Sequence, residues 1–532
     1  MAEINKIVIV GGGSSGWMSA STLIKNFPEK DISVIESPNV PTVGVGESTI
    51  GQINGWLNDL DIKDDDWMKD CDASYKLSIK FTNFYKENSG SFHYPFGEPW
   101  FTGCVFGYDD WYIKKVFHPE TPVQDFAESF FPAVALSEKN KIIENKNDEL
   151  PGWRFDNDTA YHFDAAKFGA WLRDKYAKPR GIKHIVADVT SVITNDNGVD
   201  YLQLSTGEQV TADLFIDCTG FNAILIDKAL EVPFKSYSDL LPNDSAWATR
   251  VPYQDKETEL EPYTNCTAIN NGWVWNIPLW SRIGTGYVFS SKYVSDEDAL
   301  AEFKHYLANE RFVKIPQDVI DTLEFKKIKM RVGIHEKVWT KNVCAIGLAA
   351  GFIEPLESNG LYTVHEFLRK LVNVLYRGSI SGFDKAEFNS MAEGDFRAFA
   401  EFVAIHYALS QRSKTKYWQD IQDKEDWKQL DNVGMHGNYG IDDLIAHRGL
   451  HGTYNPRNPG GAALIATGMH YYPANKSSLK RRDFIKQMNH EFVRDVFLMW
   501  DSNKEFWNRI ADESPTLYEH LKGKYGTDTP LA

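Results

Sequence analysis

Short apolar runs separated by glycine-bearing breaks set the pattern of the first part of the chain. Lys6-Ile7-Val8-Ile9-Val10 is a run of strand length without polar alternation, which predicts a parallel strand covered on both faces. Residues 11–16 are rich in glycine and serine, a helical stretch runs from Trp17 to about Phe27, and Ile32-Ser33-Val34-Ile35-Glu36 is a second strand. Strand, helix and strand in that order predict a βαβ opening. An amphipathic helix is expected over 164–177, leading into residues 182–189, and residues 213–218 form another buried strand closed by Thr219-Gly220. Residues 343–347 repeat that pattern of strand then glycine. Residues 137–150 are polar and charged and read as a surface insertion. From about 362 the chain becomes mainly helical, with a Gly/Pro/Asn loop near 452–462. No internal repeat is visible. The pattern predicts an α/β fold with a Rossmann-like core over 1–360, interrupted by substrate-binding segments at about 70–160 and 235–340. A mainly helical region over 361–532 follows.

The glycine run has a chemical meaning in this setting. Gly11-Gly12-Gly13-Ser14-Ser15-Gly16 satisfies GxGxxG after a strand and at the opening of a helix. Gly11 permits a tight turn, Gly13 lets backbone approach a pyrophosphate, and Gly16 lets helix and strand pack closely. The helix start, Ser14 to Trp17, supplies amide donors and a positive dipole end. Glu36 closes the second strand 20 residues after Gly16, where a carboxylate accepts ribose hydroxyls and disfavours a 2′-phosphate. A second glycine-rich loop, Gly44-Val45-Gly46-Glu47-Ser48-Thr49, follows. A simple dehydrogenase has no use for it, whereas an isoalloxazine needs a second covering segment. No further GxGxxG marks a nicotinamide domain. FAD is therefore the expected cofactor, reduced by a separate protein.

Composition narrows the partners. The 532 residues carry 57 Lys and Arg against 74 Asp and Glu, a net charge of −17 with no basic stripe, which disfavours nucleic acid. Aromatic residues make up 14%, enough for a core and for a pocket that takes a flat ligand. Cys71, Cys104, Cys218, Cys266 and Cys344 are sparse, odd in number and without metal spacing, so no metal is expected and a reducing cytoplasm fits. No apolar run is long enough to cross a bilayer, and the opening residues leave no room for a signal peptide. A homo-oligomer is compatible with all of this.

At several ordered segments the chain resembles the flavin-dependent tryptophan halogenase family. These include residues 7–20 (IVIVGGGSSGWMSA), 43–49 (VGVGEST), 74–81 (SYKLSIKF), 161–172 (YHFDAAKFGAWL), 213–221 (DLFIDCTGF), 284–291 (GTGYVFSS), 351–360 (GFIEPLESNG) and 406–418 (HYALSQRSKTKYW). The most specific is Trp273-Val274-Trp275-Asn276-Ile277-Pro278, which matches the family's WxWxIP fingerprint. In a strand, Trp273, Trp275 and Ile277 share a face and Pro278 stops the ladder. The resemblance implies a fold of the flavin monooxygenase type. It places Trp273, Trp275 and Pro278 by the flavin side of the active site, and Val189 and Leu348 among the cofactor contacts.

The resemblance also implies a reaction. In the family, reduced FAD, oxygen and a halide (chloride, bromide or iodide) yield hypohalous acid, which travels through a tunnel to an aromatic substrate. Confinement restrains an otherwise unselective oxidant. Lys76 matches the family's catalytic lysine, able to hydrogen-bond the hypohalous acid or to form a haloamine. Lys80, on the same face if one strand spans both, reads as structural. Glu357 matches the catalytic glutamate, which orients the oxidant, stabilises the cationic arenium or takes its proton. Ser358 links the substrate and flavin sites. Without the resemblance, Glu357 and Ser358 would read as a helix-start acid and a cap. Asn359 and Gly360 match positions whose amides bind halide, with Asn359 in place of the threonine usual in tryptophan halogenases.

His93, Tyr94 and Phe96 lie in the segment that lays aromatics on the indole. The family histidine two residues before Phe96 is Tyr94 here, which points to an aromatic or indole substrate rather than free tryptophan. The rivals are an aromatic hydroxylase of the same fold and an inactive flavin- or indole-binding protein. Gly347-Leu348 stands where hydroxylases carry Gly-Asp, and Asp217-Cys218-Thr219-Gly220 departs from their Asp-Gly signature. Retention of Lys76 and Glu357 argues against an inactive protein. The partners implied are a separate NAD(P)H-dependent flavin reductase and a small aromatic substrate.

Overall fold

The computed structural model describes residues 4–40, 46–101, 108–422, 461–471 and 490–526. Gly44, Val45, Cys104 and nearly all of the 452–462 loop lie outside the described residues. The chain divides into two units, one of residues 1–73, 162–244 and 328–400, the other of 74–161, 245–327 and 401–532.

The first unit opens with β1 (Lys6–Val10), α1 (Ser14–Asn26) and β2 (Asp31–Glu36). Both strands are almost wholly buried, as the unbroken apolar runs require. β1 pairs in parallel with β2 on one side and with Leu214–Asp217 on the other. The sheet continues in parallel to Lys183–Val186 beyond β2 and to Val343–Ala345 beyond Leu214–Asp217. Strand order therefore reverses direction at the carboxyl end of β1, the crevice where open α/β sheets bind ligands. The fold is the mixed α/β, Rossmann-type core that the apolar pattern predicts. β3 (Glu47–Ser48) pairs antiparallel with His162–Phe163.

The helix Gly360–Leu375 belongs to this unit, although the change to helical composition near 361 reads as a boundary. Tertiary packing explains the difference. Tyr376, just past that helix, hydrogen-bonds Asn26 and meets the Phe27 ring at 4.9 Å, holding the helix against α1.

The second unit is built on a seven-stranded sheet. It includes Ser245–Val251, Ile283–Phe289, Gly272–Pro278, Tyr263–Ile269, β5 (Ser78–Thr82) and β6 (Ser91–Pro95) in that spatial order. One of its cores gathers Val274, Tyr287, Phe289, Phe303 and Leu307. Just before β5 lies β4 (Ser74–Lys76). The run expected to be one strand through Lys76 and Lys80 is thus broken at Leu77. The Leu77 amide donates to the Pro262 carbonyl at 2.7 Å, and its own carbonyl accepts from the Phe96 amide at 2.9 Å.

Candidate active site

In the first unit the glycine-rich turn closes the carboxyl end of β1, and the Gly11 amide donates to Ile35 at 2.9 Å. Each glycine has its own reason. A Cβ on Gly11, whose φ is +113°, would stand 2.2 Å from the Cys218 carbonyl oxygen. A Cβ on Gly16 would stand 1.8 Å from the Gly11 oxygen. A Cβ on Gly13 would meet nothing within 4 Å. The first two glycines therefore serve the fold, while Gly13 borders open space. The first amides of α1 have no intrahelical acceptor, and no acid occupies its first turn. That leaves an electropositive helix end for an anion.

Ser14 turns its hydroxyl to the Ala165 carbonyl at 3.1 Å, so only its amide is left for a phosphate. The Ser15 side chain lies beside Gly347, where a Cβ would meet its Oγ at 2.3 Å. Trp17 is fully buried, its ring edge-on to His184 and its amide bonded to Gly13. It packs the helix and does not line the open space. Glu36 lies across Gly12, where a Cβ would meet its Cγ at 2.2 Å, and its carboxylate approaches His184 at 2.8 Å and Arg173 at 3.7 Å. A side chain at Gly12 would thus have to displace Glu36. The GxGxxG pattern leaves that position variable, and only the Glu36 side chain shows why it is glycine here. Val189 heads the strand Val189–Asn195 and Leu348 sits in the turn Gly347–Ala349; both are half-buried.

Gly46 has φ +100° and leads into β3. Burial, with the Asp164 carboxylate as the lesser cause, pushes the Glu47 carboxyl up to about 7. Ser48 accepts a hydrogen bond from the Ser358 hydroxyl at 3.0 Å. Ser358 has φ +56° and does not cap the following helix, so the cap reading fails and the hydroxyl ties residues 355–360 to the Gly46–Ser48 loop. The local sequence offers no sign of this 310-residue link. Glu354 is fully buried and accepts from Asn243 at 2.8 Å, a structural role. Glu357, at the end of the turn Pro355–Glu357, is 2% exposed. Asn359 is 1% exposed, and neither atom of its carboxamide has a hydrogen-bond partner among the described residues. Gly360 begins the helix, so its amide is among those without an intrahelical acceptor. An open cradle at Gly13, an acid at the end of β2 and an orphaned carboxamide fit a dinucleotide cofactor.

In the second unit Lys76 is fully buried, with Nζ 4.9 Å from the centre of the Phe96 ring. A buried ammonium is costly without compensation, and the ring face supplies part of it. The two Leu77 hydrogen bonds fix this geometry, because one of them holds the Phe96 backbone. Tyr94 lies edge-on to Phe96 at 6.3 Å and to Phe402 at 6.1 Å. A Cβ on Gly461 would come within 2.7 Å of both Tyr94 and Phe402. Phe402 and Gly461 were missed from sequence because they follow long after the aromatic segment and carry no motif. The fingerprint strand also touches this region, since the Ser74 hydroxyl donates to the Pro278 carbonyl at 2.5 Å. Trp273 and Trp275 are buried on that strand, 6.2 Å apart.

His93 does not join Tyr94 and Phe96. Strand alternation turns it to the other face, where Nδ1 meets the Ser78 hydroxyl and Nε2 meets Glu138, each at 2.8 Å. Burial lowers its pKa, and the same contact holds Glu138 at about 2. Lys80 also pairs with Glu138, at 3.0 Å, and lies over Tyr263. The expectation of His93 as a substrate contact is corrected accordingly, and Lys80 is structural.

The model of the tryptophan halogenase family matches residues 6–434. The chain is 36% identical over 439 residues to tryptophan 6-halogenase SttH of Streptomyces toxytricini, covering 79% of this chain and 81% of that protein. The crystal structure of SttH superposes with a TM-score of 0.82 at 30% identity, covering 97% and 99% of the two chains. The apo structure of VirX1 gives a TM-score of 0.91 at 36% identity over 99% and 100%. BrvH, a flavin-dependent halogenase from Brevundimonas sp. BAL3, gives 0.81 at 28% identity over 98% and 99%.

Proposed function

The chain belongs to the tryptophan halogenase family, and we propose that it halogenates an indole-like aromatic substrate using reduced FAD, oxygen and a halide. The observation that carries this reading is the buried Lys76 ammonium over Phe96, with Tyr94 and Phe402 continuing the aromatic wall. Such a wall suits a flat π system, and the ammonium is a proton donor held where that system would lie.

The cofactor would be held by the amides of residues 13–16, Glu36, the Gly46–Ser48 loop, Val189 and Leu348. Bound there, reduced FAD with oxygen supplies the two-electron oxidation of halide to hypohalous acid, with water as the second product. The amides of Asn359 and Gly360 would hold the halide. Lys76 donates a hydrogen bond to the oxygen of hypohalous acid, which polarises the halogen. Ring π electrons then form the carbon–halogen bond while the oxygen–halogen bond breaks, and the departing hydroxide takes a proton from Lys76 and leaves as water; the ring proton accepted by Glu357 returns the lysine to its charged form. A neutral Lys76 would instead carry the halogen on Nζ as a haloamine. The Glu357 carboxylate stabilises the cationic ring and takes its proton. Ser358, tied to Ser48, keeps Glu357 in register with the cofactor loop. No second GxGxxG marks a nicotinamide domain in the sequence, so reduced flavin would come from a separate reductase. The Tyr94 substitution favours an indole without the amino-acid end.

The test is incubation with reduced FAD, oxygen, bromide and indole, followed by mass spectrometry. Bromine addition is expected. Oxygen addition would mark a hydroxylase, and no product would mark a binding protein.

A further inference from the structure

The Asn359 carboxamide is buried at 1% exposure, and neither Nδ2 nor Oδ1 has a hydrogen-bond partner among the described residues. A buried donor or acceptor left unmade costs about 1–3 kcal/mol. Two on one side chain, unmet by any described residue, therefore point to a bound partner. The residue does not cap the 16-residue helix that follows it. It adjoins Ser358, which is bonded to Ser48 in the second glycine-rich loop. Asn359 thus belongs to the segment assigned to the cofactor.

The choice of ligand follows from what the carboxamide lacks. A halide accepts from Nδ2 but offers nothing to Oδ1. A ring edge with an N–H beside a carbonyl satisfies both atoms at once, as asparagine does when it reads adenine bidentately. The pyrimidine ring of isoalloxazine has such an edge, N3–H between two carbonyls. We propose that Asn359 is a cofactor-recognition residue that pairs Oδ1 with flavin N3–H and Nδ2 with a neighbouring carbonyl. This rests on the FAD reading of the site. A threonine there, as is usual in tryptophan halogenases, has a single oxygen and cannot form the same pair.

The experiment is an equilibrium titration of oxidised FAD and of its N3-methyl analogue, followed by flavin fluorescence, with wild type, Asn359→Leu and Asn359→Thr. Wild type should prefer FAD over the methyl analogue by about tenfold, the worth of one good hydrogen bond. Asn359→Leu should bind the two within about twofold, and Asn359→Thr should fall between. Because leucine removes two unsatisfied groups, apo Asn359→Leu should melt no lower than wild type, which shows that it folds. A tenfold preference retained in Asn359→Leu overturns the proposal, since N3 would then be read elsewhere. Loss of bromide binding with FAD preference intact also overturns it and gives the carboxamide to the anion. Failure of wild type to bind FAD at all is a different result, which removes the flavin reading itself.

Discussion

Gly13→Val separates the cofactor cradle from the fold. Gly13 has φ −78° and ψ −173°, extended backbone open to any residue, and a Cβ there meets nothing within 4 Å. The substitution also restricts the unfolded chain, an effect of about 0.4–1 kcal/mol in favour of the folded state. Apo Gly13→Val should therefore melt at or slightly above the wild-type temperature. Gly16→Ala is the contrasting control, because its Cβ would stand 1.8 Å from the Gly11 carbonyl oxygen. That overlap should destabilise the apo protein by about 1–3 kcal/mol or more. For the cofactor the order reverses. The valine side chain occupies the space a pyrophosphate needs, and loss of two hydrogen bonds to a charged group, about 1.5–3 kcal/mol each, weakens FAD binding at least about 10²-fold. Fluorescence titration with FAD and apo melting curves read the two effects independently. Binding within about threefold of wild type would refute the placement of the phosphates. A large drop in apo melting temperature would refute the openness of the site.

Three further outcomes are expected. The Glu47 carboxyl, raised to about 7 by burial and Asp164, keeps in the folded state a proton that the unfolded chain releases near 4.5, so it subtracts stability as pH rises through that window, by up to about 3 kcal/mol. Glu47→Gln should remove that slope from apo melting curves between pH 4.5 and 8 and raise the melting temperature at pH 8, and an unchanged slope would sink the assignment. Protein with FAD and NADH alone should turn over poorly until an unrelated flavin reductase is added, an expectation that fast NADH oxidation by the pure chain would defeat. Lys76→Ala should still bind FAD and consume oxygen from supplied reduced flavin while halogenated arene falls below detection, and indole halogenation at the wild-type rate would remove Lys76 from the chemistry.

The parallel sheet was legible because burial on both faces leaves unbroken apolar runs, and β1, β2 and Leu214–Asp217 carry them. Two features were not legible for the same physical reason, namely that they depend on tertiary contacts. The break falls at Leu77, whose amide and carbonyl bond Pro262 and Phe96, residues that adjoin the two strands flanking β5 and lie far from it in sequence. The helix Gly360–Leu375 joins the first unit through contacts made by Tyr376 with α1, which helical composition alone does not reveal.

For the candidate site, residue type was readable and orientation was not. His93 and Tyr94 are both credible contacts for an aromatic ligand, and alternation says that one strand cannot send both to the same face. Which one turns inward depends on pairing. β6 is registered on β5 with His93 opposite Lys80 and Tyr94 opposite Ile79, and Glu138 collects both His93 and Lys80. Glu138 lies 45 residues from His93 without a motif, so nothing local marks it as the residue that decides the face. Asn359 poses the converse case. Its substitution for threonine is visible in the sequence, but that its carboxamide lacks a partner among the described residues appears only once the chain is packed around it. A ligand-facing role for its side chain, beyond the backbone amide that the resemblance offers to halide, therefore follows from which polar atoms the folded chain leaves unsatisfied.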